Sequence, residues 1–204
     1  MMQNKTHWYD GHFYDRIIAP NQDRLFANIK KMIEPGSVLL DVGCGTGRMA
    51  FQLEDHCGYI KGIDLSDKNI ALAKENLGGK SKKIEFVHGN ALELNDGRKY
   101  DYAVLTYVIH EMDSHDRISL LKGLKNVADK IIIGEYIAPH PKGFWGSVNF
   151  VVEFLAGADH FKNFKHFINN GGVESLAGEA GFEIEKKILN DPKTSCLMVL
   201  KALS

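Results

Sequence analysis

The chain has 204 residues, 44% hydrophobic and 25% charged, an ordinary globular balance that excludes a fibrous repeat. Twenty-five Lys and Arg stand against twenty-six Asp and Glu, so no net positive field exists to gather nucleic acid, and no nucleic-acid partner is expected. The three cysteines, Cys44, Cys57 and Cys196, are scattered without the spacing of a disulfide framework, and no run of eighteen uncharged apolar residues or apolar leader occurs, so a cytoplasmic chain with no membrane span is expected.

In chain order, HWYDGHFYD at His7 to Asp15 concentrates Trp8, Tyr9, Phe13 and Tyr14 ahead of a helix over about Asp23 to Ile33, whose Leu25, Phe26, Ile29 and Ile33 share one face before Pro35-Gly36 breaks it. From Ser37 onward, short apolar runs alternate with amphipathic stretches, the pattern of repeated strand-helix units carrying a parallel sheet. Strands are predicted over 37–42, 59–64, 84–89, 100–109 and 131–137. Helices are predicted over 48–54, from the cap Ser66 to Gly78-Gly79, and from Ser114, where Ile118, Leu121, Leu124 and Val127 recur at helical spacing. A helix over 173–180 and strands over 182–189 and 195–202 complete the chain. The last two strands are separated by too few residues for a parallel crossover, so they are expected to pair as an antiparallel hairpin at the sheet edge. The fold class is therefore α/β, a Rossmann-like seven-stranded, mostly parallel sheet with an antiparallel C-terminal edge hairpin. We expect one domain over 1–204, with an N-terminal helical cap over 1–36 and a helical lid insertion over 139–172.

LLDVGCGTGRMA at Leu39 to Ala50 puts Gly43, Gly45 and Gly47 in the turn between a strand and a helix, where absent side chains let a ligand touch the backbone. Asp64 follows at the end of the second strand, placed to accept hydrogen bonds from ribose hydroxyls. Together these point to an adenosine-containing cofactor. The turn reads GxGxG with Asp41 two residues before it; an acid there would repel a diphosphate but suits a ligand carrying an ammonium and a sulfonium. S-adenosylmethionine carries both.

The sequence resembles the class I S-adenosylmethionine-dependent methyltransferase family from about Val38 to Leu200. LDVGCGTG at Leu40 to Gly47 is similar to that family's first motif, so Cys44 joins Asp41 and the three glycines in the cofactor turn. GIDLS at Gly62 to Ser66 is similar to the second, which makes Asp64 the ribose acid and places Leu65 beside the adenine. HGNALEL at His88 to Leu94 is similar to the third, with Asn90 and Ala91 toward the adenine and an amide oxygen where an aspartate is more usual. YDYAVLTYVIHEM at Tyr100 to Met112 resembles the fourth in members acting on small molecules, with Thr106 on the cofactor floor and His110 opening the next helix. No Asn-Pro-Pro-Tyr or Asp-Pro-Pro-Tyr run, of the kind carried by methyltransferases of nucleic-acid bases, is present. In similar enzymes an N-terminal helix closes over the cofactor, so Tyr9 and Tyr14 are expected to reach it.

The resemblance implies in-line methyl transfer to a small-molecule acceptor with S-adenosylhomocysteine as product. His110, Glu111, Glu135 and His160 are the candidate general bases, each with an alternative structural role. His110 and His115 are five apart where a helical zinc pair needs four, and no metal is expected. The insertion over 141–172 carries Phe144, Trp145, Phe150, Phe154, Phe161, Phe164 and Phe167, which serve either as an aromatic roof for an apolar or planar acceptor, as core, or as a homodimer contact. Two other readings stand beside this one: a nicotinamide-dependent oxidoreductase, and a non-catalytic S-adenosylmethionine-binding protein.

Overall fold

The computed structural model describes residues 19–203; Tyr9, Tyr14 and most of the expected N-terminal cap lie outside them. Seven strands, β1 (Val38–Val42), β2 (Tyr59–Asp64), β3 (Ile84–His88), β4 (Tyr100–Thr106), β5 (Ala128–Tyr136), β6 (Phe182–Leu189) and β7 (Ser195–Ala202), form one sheet in the order β3-β2-β1-β4-β5-β7-β6, mostly parallel with an antiparallel C-terminal pair, as the sequence predicts. The chain divides into two compact units, residues 1–104 and 105–204.

In the first unit, helix α1 (Ala19–Lys30) buries Leu25, Phe26 and Ile29, and Ile33 just beyond it, the face that the sequence pattern assigns to the body. A bidentate pair from Arg48 to Asp23 (3.0 and 2.9 Å), with Gln52 donating to the same carboxylate, ties α1 to helix α2 (Arg48–Leu53). Strand β1 (Val38–Val42) pairs in parallel with β2 (Tyr59–Asp64), which pairs in parallel with β3 (Ile84–His88). Leu39, Leu40 and Ile60 are fully buried, as a strand covered on both faces requires. Between β2 and β3, helix α3 (Asp67–Leu77) starts where Ser66 accepts a hydrogen bond from the Asn69 amide and stops at left-handed Gly78, both as read from sequence.

Gly62 on β2 is a tight point. A Cβ there would lie 2.7 Å from the Phe86 ring and 2.8 Å from the Cys44 sulfur, inside van der Waals contact, and both neighbours are buried. Gly62→Ala is therefore expected to cost about 1–3 kcal/mol by overpacking, read as a lower urea midpoint at unchanged slope. An unchanged midpoint would mean that Phe86 yields freely.

Strand β4 (Tyr100–Thr106) runs across the division between the two units and ends three residues earlier than its apolar run suggests. Tyr107 takes a left-handed backbone, φ 56°, which no β-branched strand pattern signals, and its amide donates to Gly134 O at 2.8 Å. A short 3-10 turn, Ile109–Glu111, follows, so His110 lies in this turn rather than opening helix α4 (Ser114–Lys125).

In the second unit, β5 (Ala128–Tyr136) pairs antiparallel with β7 (Ser195–Ala202), and β7 with β6 (Phe182–Leu189), where a bulge between Ile184 and Lys186 bends the edge strand. The insertion forms helices α5 (Phe144–Leu155) and α6 (Ala158–Asn169), followed by α7 (Gly172–Ala180). Its aromatics divide: Phe164 and Phe167 are core, whereas Phe144, Trp145 and Phe154 are exposed. All three cysteines are buried free thiols. Among the described residues, no helix is long and apolar enough to cross a membrane.

Candidate active site

The cofactor turn lies in the first unit. Gly43 and Cys44 both donate to Ile63 O, at 2.8 and 3.2 Å, fixing the turn onto the end of β2. Gly45 has φ +53°, and a Cβ built on it would meet nothing within 4 Å. The turn thus presents bare backbone to open space, the condition for a ligand to lie against it. Gly47, with φ 84°, is the residue before α2, and a Cβ there would collide with the Phe86 ring, so it is fixed by packing rather than by a ligand.

Asp64 does more than the sequence assigns to it. Its Oδ2 accepts from Gly45 N and its Oδ1 from Ser66 N, both at 2.8 Å, so this carboxylate holds the glycine turn in place. Leu65 beside it is 53% exposed, an apolar platform suited to a purine face. The Asn90 amide oxygen accepts from Leu92 N at 3.0 Å and caps the 3-10 turn Ala91–Glu93.

Asp41 is 1% exposed, and its Oδ2 has no hydrogen-bond partner. Burial, and secondarily the charge of Asp64, push its pKa up to about 8. A buried carboxyl left without a donor is costly unless a ligand supplies one. Burial also pushes the neighbouring Cys44 thiol well above its ordinary value, so it is no nucleophile.

All four candidate bases lie in the second unit, with Thr106 at the end of β4, and the fold brings the four together. His110, 2% exposed, has Nδ1 2.9 Å from Glu135 Oε1 on β5 and Nε2 3.4 Å from Glu153 Oε2 on α5. His160 on α6 makes a short contact through Nε2 with the same Glu153 oxygen. Glu111 Oε1 lies 4.0 Å from His110 Nε2. Burial alone would lower the His110 pKa, but Glu135 and Glu153 outweigh it and raise it well above 6.5. Glu111 is the member that solvent reaches, with a side chain 39% exposed. His115 takes no part: its side chain is 79% exposed and pairs with Asp116.

Residues 39–130 match the family model described as a methyltransferase domain. Demethylmenaquinone methyltransferase of Bacillus cytotoxicus is 31% identical over 120 residues, covering 55% of this chain and 50% of the relative. Ubiquinone biosynthesis O-methyltransferase of Nitrosospira multiformis is 26% identical over 160 residues, covering 75% and 65%. The chain spans about half the length of the curated relatives it first matches. Magnesium protoporphyrin IX methyltransferase from Synechocystis, solved with bound S-adenosylhomocysteine, has the same fold, with TM-score 0.66 and 17% identity over 95% of this chain and 89% of that one.

Three residues that sequence reading misses complete the cluster. Glu153 sits in an otherwise apolar helix and yet is 4% exposed, its Oε1 accepting from the Tyr136 hydroxyl at 2.7 Å. Its position within VVEFL was the available signal, since an acid in an apolar run must be partnered if buried. Arg117, 2% exposed, donates to His110 O (3.1 Å), Met112 O (2.8 Å) and Asn163 O (2.7 Å), stitching the turn that carries His110 to the helix that carries His160. Asn163 donates in return to Glu111 O at 2.9 Å.

Proposed function

We propose that this chain transfers the methyl group of S-adenosylmethionine to a small-molecule acceptor by in-line displacement. The observation that carries the reading is Asp41: a buried carboxyl oxygen without a donor, beside a glycine turn open to ligand, fits the ammonium of the methionine moiety. Asp64 then accepts from the ribose hydroxyls while holding Gly45, and Leu65 covers the purine. Asn90, Ala91 and Thr106 are assigned to the remaining cofactor surface, and Tyr9 and Tyr14 to its closure.

When bound, the cofactor supplies an electrophilic methyl on a sulfonium whose charge disappears during transfer. The protein's part is chiefly positioning. On the acceptor side we assign Glu111 as the group that takes the proton of a hydroxyl or similar nucleophile, because it is the one carboxylate of the cluster that solvent reaches. His110, Glu135 and His160 position it. A small aromatic acceptor suits the insertion's rings, and the quinone-precursor names of the sequence relatives lean the same way.

Binding of S-adenosylhomocysteine, followed by calorimetry in two buffers of different ionisation enthalpy, tests the reading. An ammonium beside Asp41 lowers its pKa from about 8, so binding must release protons below that pH, about nine tenths of one at pH 7, and must tighten as pH rises toward 8. Asp41→Asn should abolish the release. Binding with no proton release would remove Asp41 from the site, and no binding by folded protein would overturn the function.

A further inference from the structure

We propose that His110, His160 and Glu153 form a binding site for a divalent transition-metal ion, with Glu111 at its open face. The imidazole Nε2 atoms of His110 and His160 converge on one carboxylate oxygen, Glu153 Oε2, from residues contributed by a 3-10 turn and by two helices. The ligand atoms of His110, His160 and Glu111 all lie within 4.8 Å of one another. Zinc ligands at about 2.0–2.1 Å in a tetrahedron stand roughly 3.3 Å apart, and His110 Nε2 stands 3.4 Å from Glu153 Oε2. Side-chain movement that opens the short His160–Glu153 contact makes room for the ion.

The surroundings are those of a metal centre. His110 directs its Nδ1 to Glu135, itself 1% exposed and accepting from Tyr136 N at 2.8 Å, which orients the ring so that Nε2 is the nitrogen that ligates an ion once its proton is displaced. Glu153 is held by the Tyr136 hydroxyl. Arg117 locks the backbone carrying His110 to that carrying His160. Two imidazoles with one carboxylate and no thiolate suit an ion of borderline softness, Zn²⁺, Fe²⁺, Co²⁺ or Mn²⁺, and three protein ligands leave a position open. Glu111, reached by solvent, marks the entry and faces that position. Ion entry displaces the protons shared among the two imidazoles and Glu153.

A hydroxyl or thiol bound at the open position would be acidified by the ion and would pass its proton to Glu111. This use rests on the methyl-transfer reading; the ion site does not.

The test is titration of metal-stripped full-length protein with Co²⁺, read by visible absorption, followed by displacement with Zn²⁺. One equivalent is expected in the wild-type protein. Glu153→Gln and His160→Gln should weaken binding at least ~100-fold, and Glu135→Gln, which touches no ion, about 10–100-fold, while His115→Ala changes nothing. Should a buried variant fail to fold, X-ray absorption of the zinc-loaded wild type replaces it and must show two imidazoles and no sulfur. No Co²⁺ uptake by folded wild type, equal uptake by Glu153→Gln, or sulfur around the zinc overturns the site. S-adenosylhomocysteine titrated into the same samples separates the two proposals, because cofactor binding without an ion removes only the metal site, and ion binding without cofactor binding removes only the methyl-transfer reading.

Discussion

Gly45→Val is expected to abolish detectable S-adenosylhomocysteine binding, a loss of more than ~100-fold, while the protein stays folded. Two effects combine. At φ +53° a residue with a Cβ pays roughly 1–2 kcal/mol for the left-handed backbone, and more when β-branched. In a chain of this length that lowers Tm by only about 2–8 °C. The larger consequence falls on the ligand, because the isopropyl group enters the space in which nothing of the protein lies within 4 Å. Asp64→Ala reaches the same end by another route: Gly45 N and Ser66 N both lose a charged acceptor, worth about 1.5–3 kcal/mol each, so binding should weaken by about 100-fold. Calorimetry on both variants decides the matter. Wild-type affinity in Gly45→Val would place the cofactor elsewhere.

Glu135→Ala is expected to lower stability by about 3–5 kcal/mol, since removing one member of a buried ion pair strands the other. The Tm drop should be about 6–20 °C. The pH dependence carries the sign. The folded-state pKa of His110 lies well above 6.5, so its contribution is fully present below about pH 6.5 and is lost as pH rises through the raised value. Wild type should therefore lose stability above pH 6.5 more steeply than Glu135→Ala, in which Glu153 and Glu111 still face the imidazole but the closest carboxylate is gone. Parallel stability curves for the two proteins would mean that His110 is neutral in the folded state.

Strands β2, β6 and β7 run over the residues that alternation and turn chemistry assign to them, and Ser66 and Gly78 bound α3 as their types require. Such features are local, so they are legible. The end of β4 was not, because the β-branched and aromatic run Tyr107 to Ile109 reads as strand while the left-handed backbone at Tyr107 turns the chain. The placement of Asp41 and Gly45 at the first strand-to-helix turn, and of Asp64 at the end of β2, was legible because it follows from local strand-helix-strand spacing. In the His110 cluster the residue types were found but not their arrangement. His110 meets His160 across fifty positions, whereas spacing arguments test only near neighbours such as His115. Glu153 was hidden by the apolar helix around it, and Arg117 by looking like a surface cation on an amphipathic helix.

The burial of every cysteine has a practical use. Desolvation is the main cause that holds Cys57 at about 11 and Cys196 at about 12, with Cys44 also raised, so none offers a thiolate at neutral pH. A maleimide or disulfide reagent then reacts only when the chain opens. Single-cysteine versions retaining Cys57 or Cys196 would time the opening of the first and second units separately, giving each half its own clock.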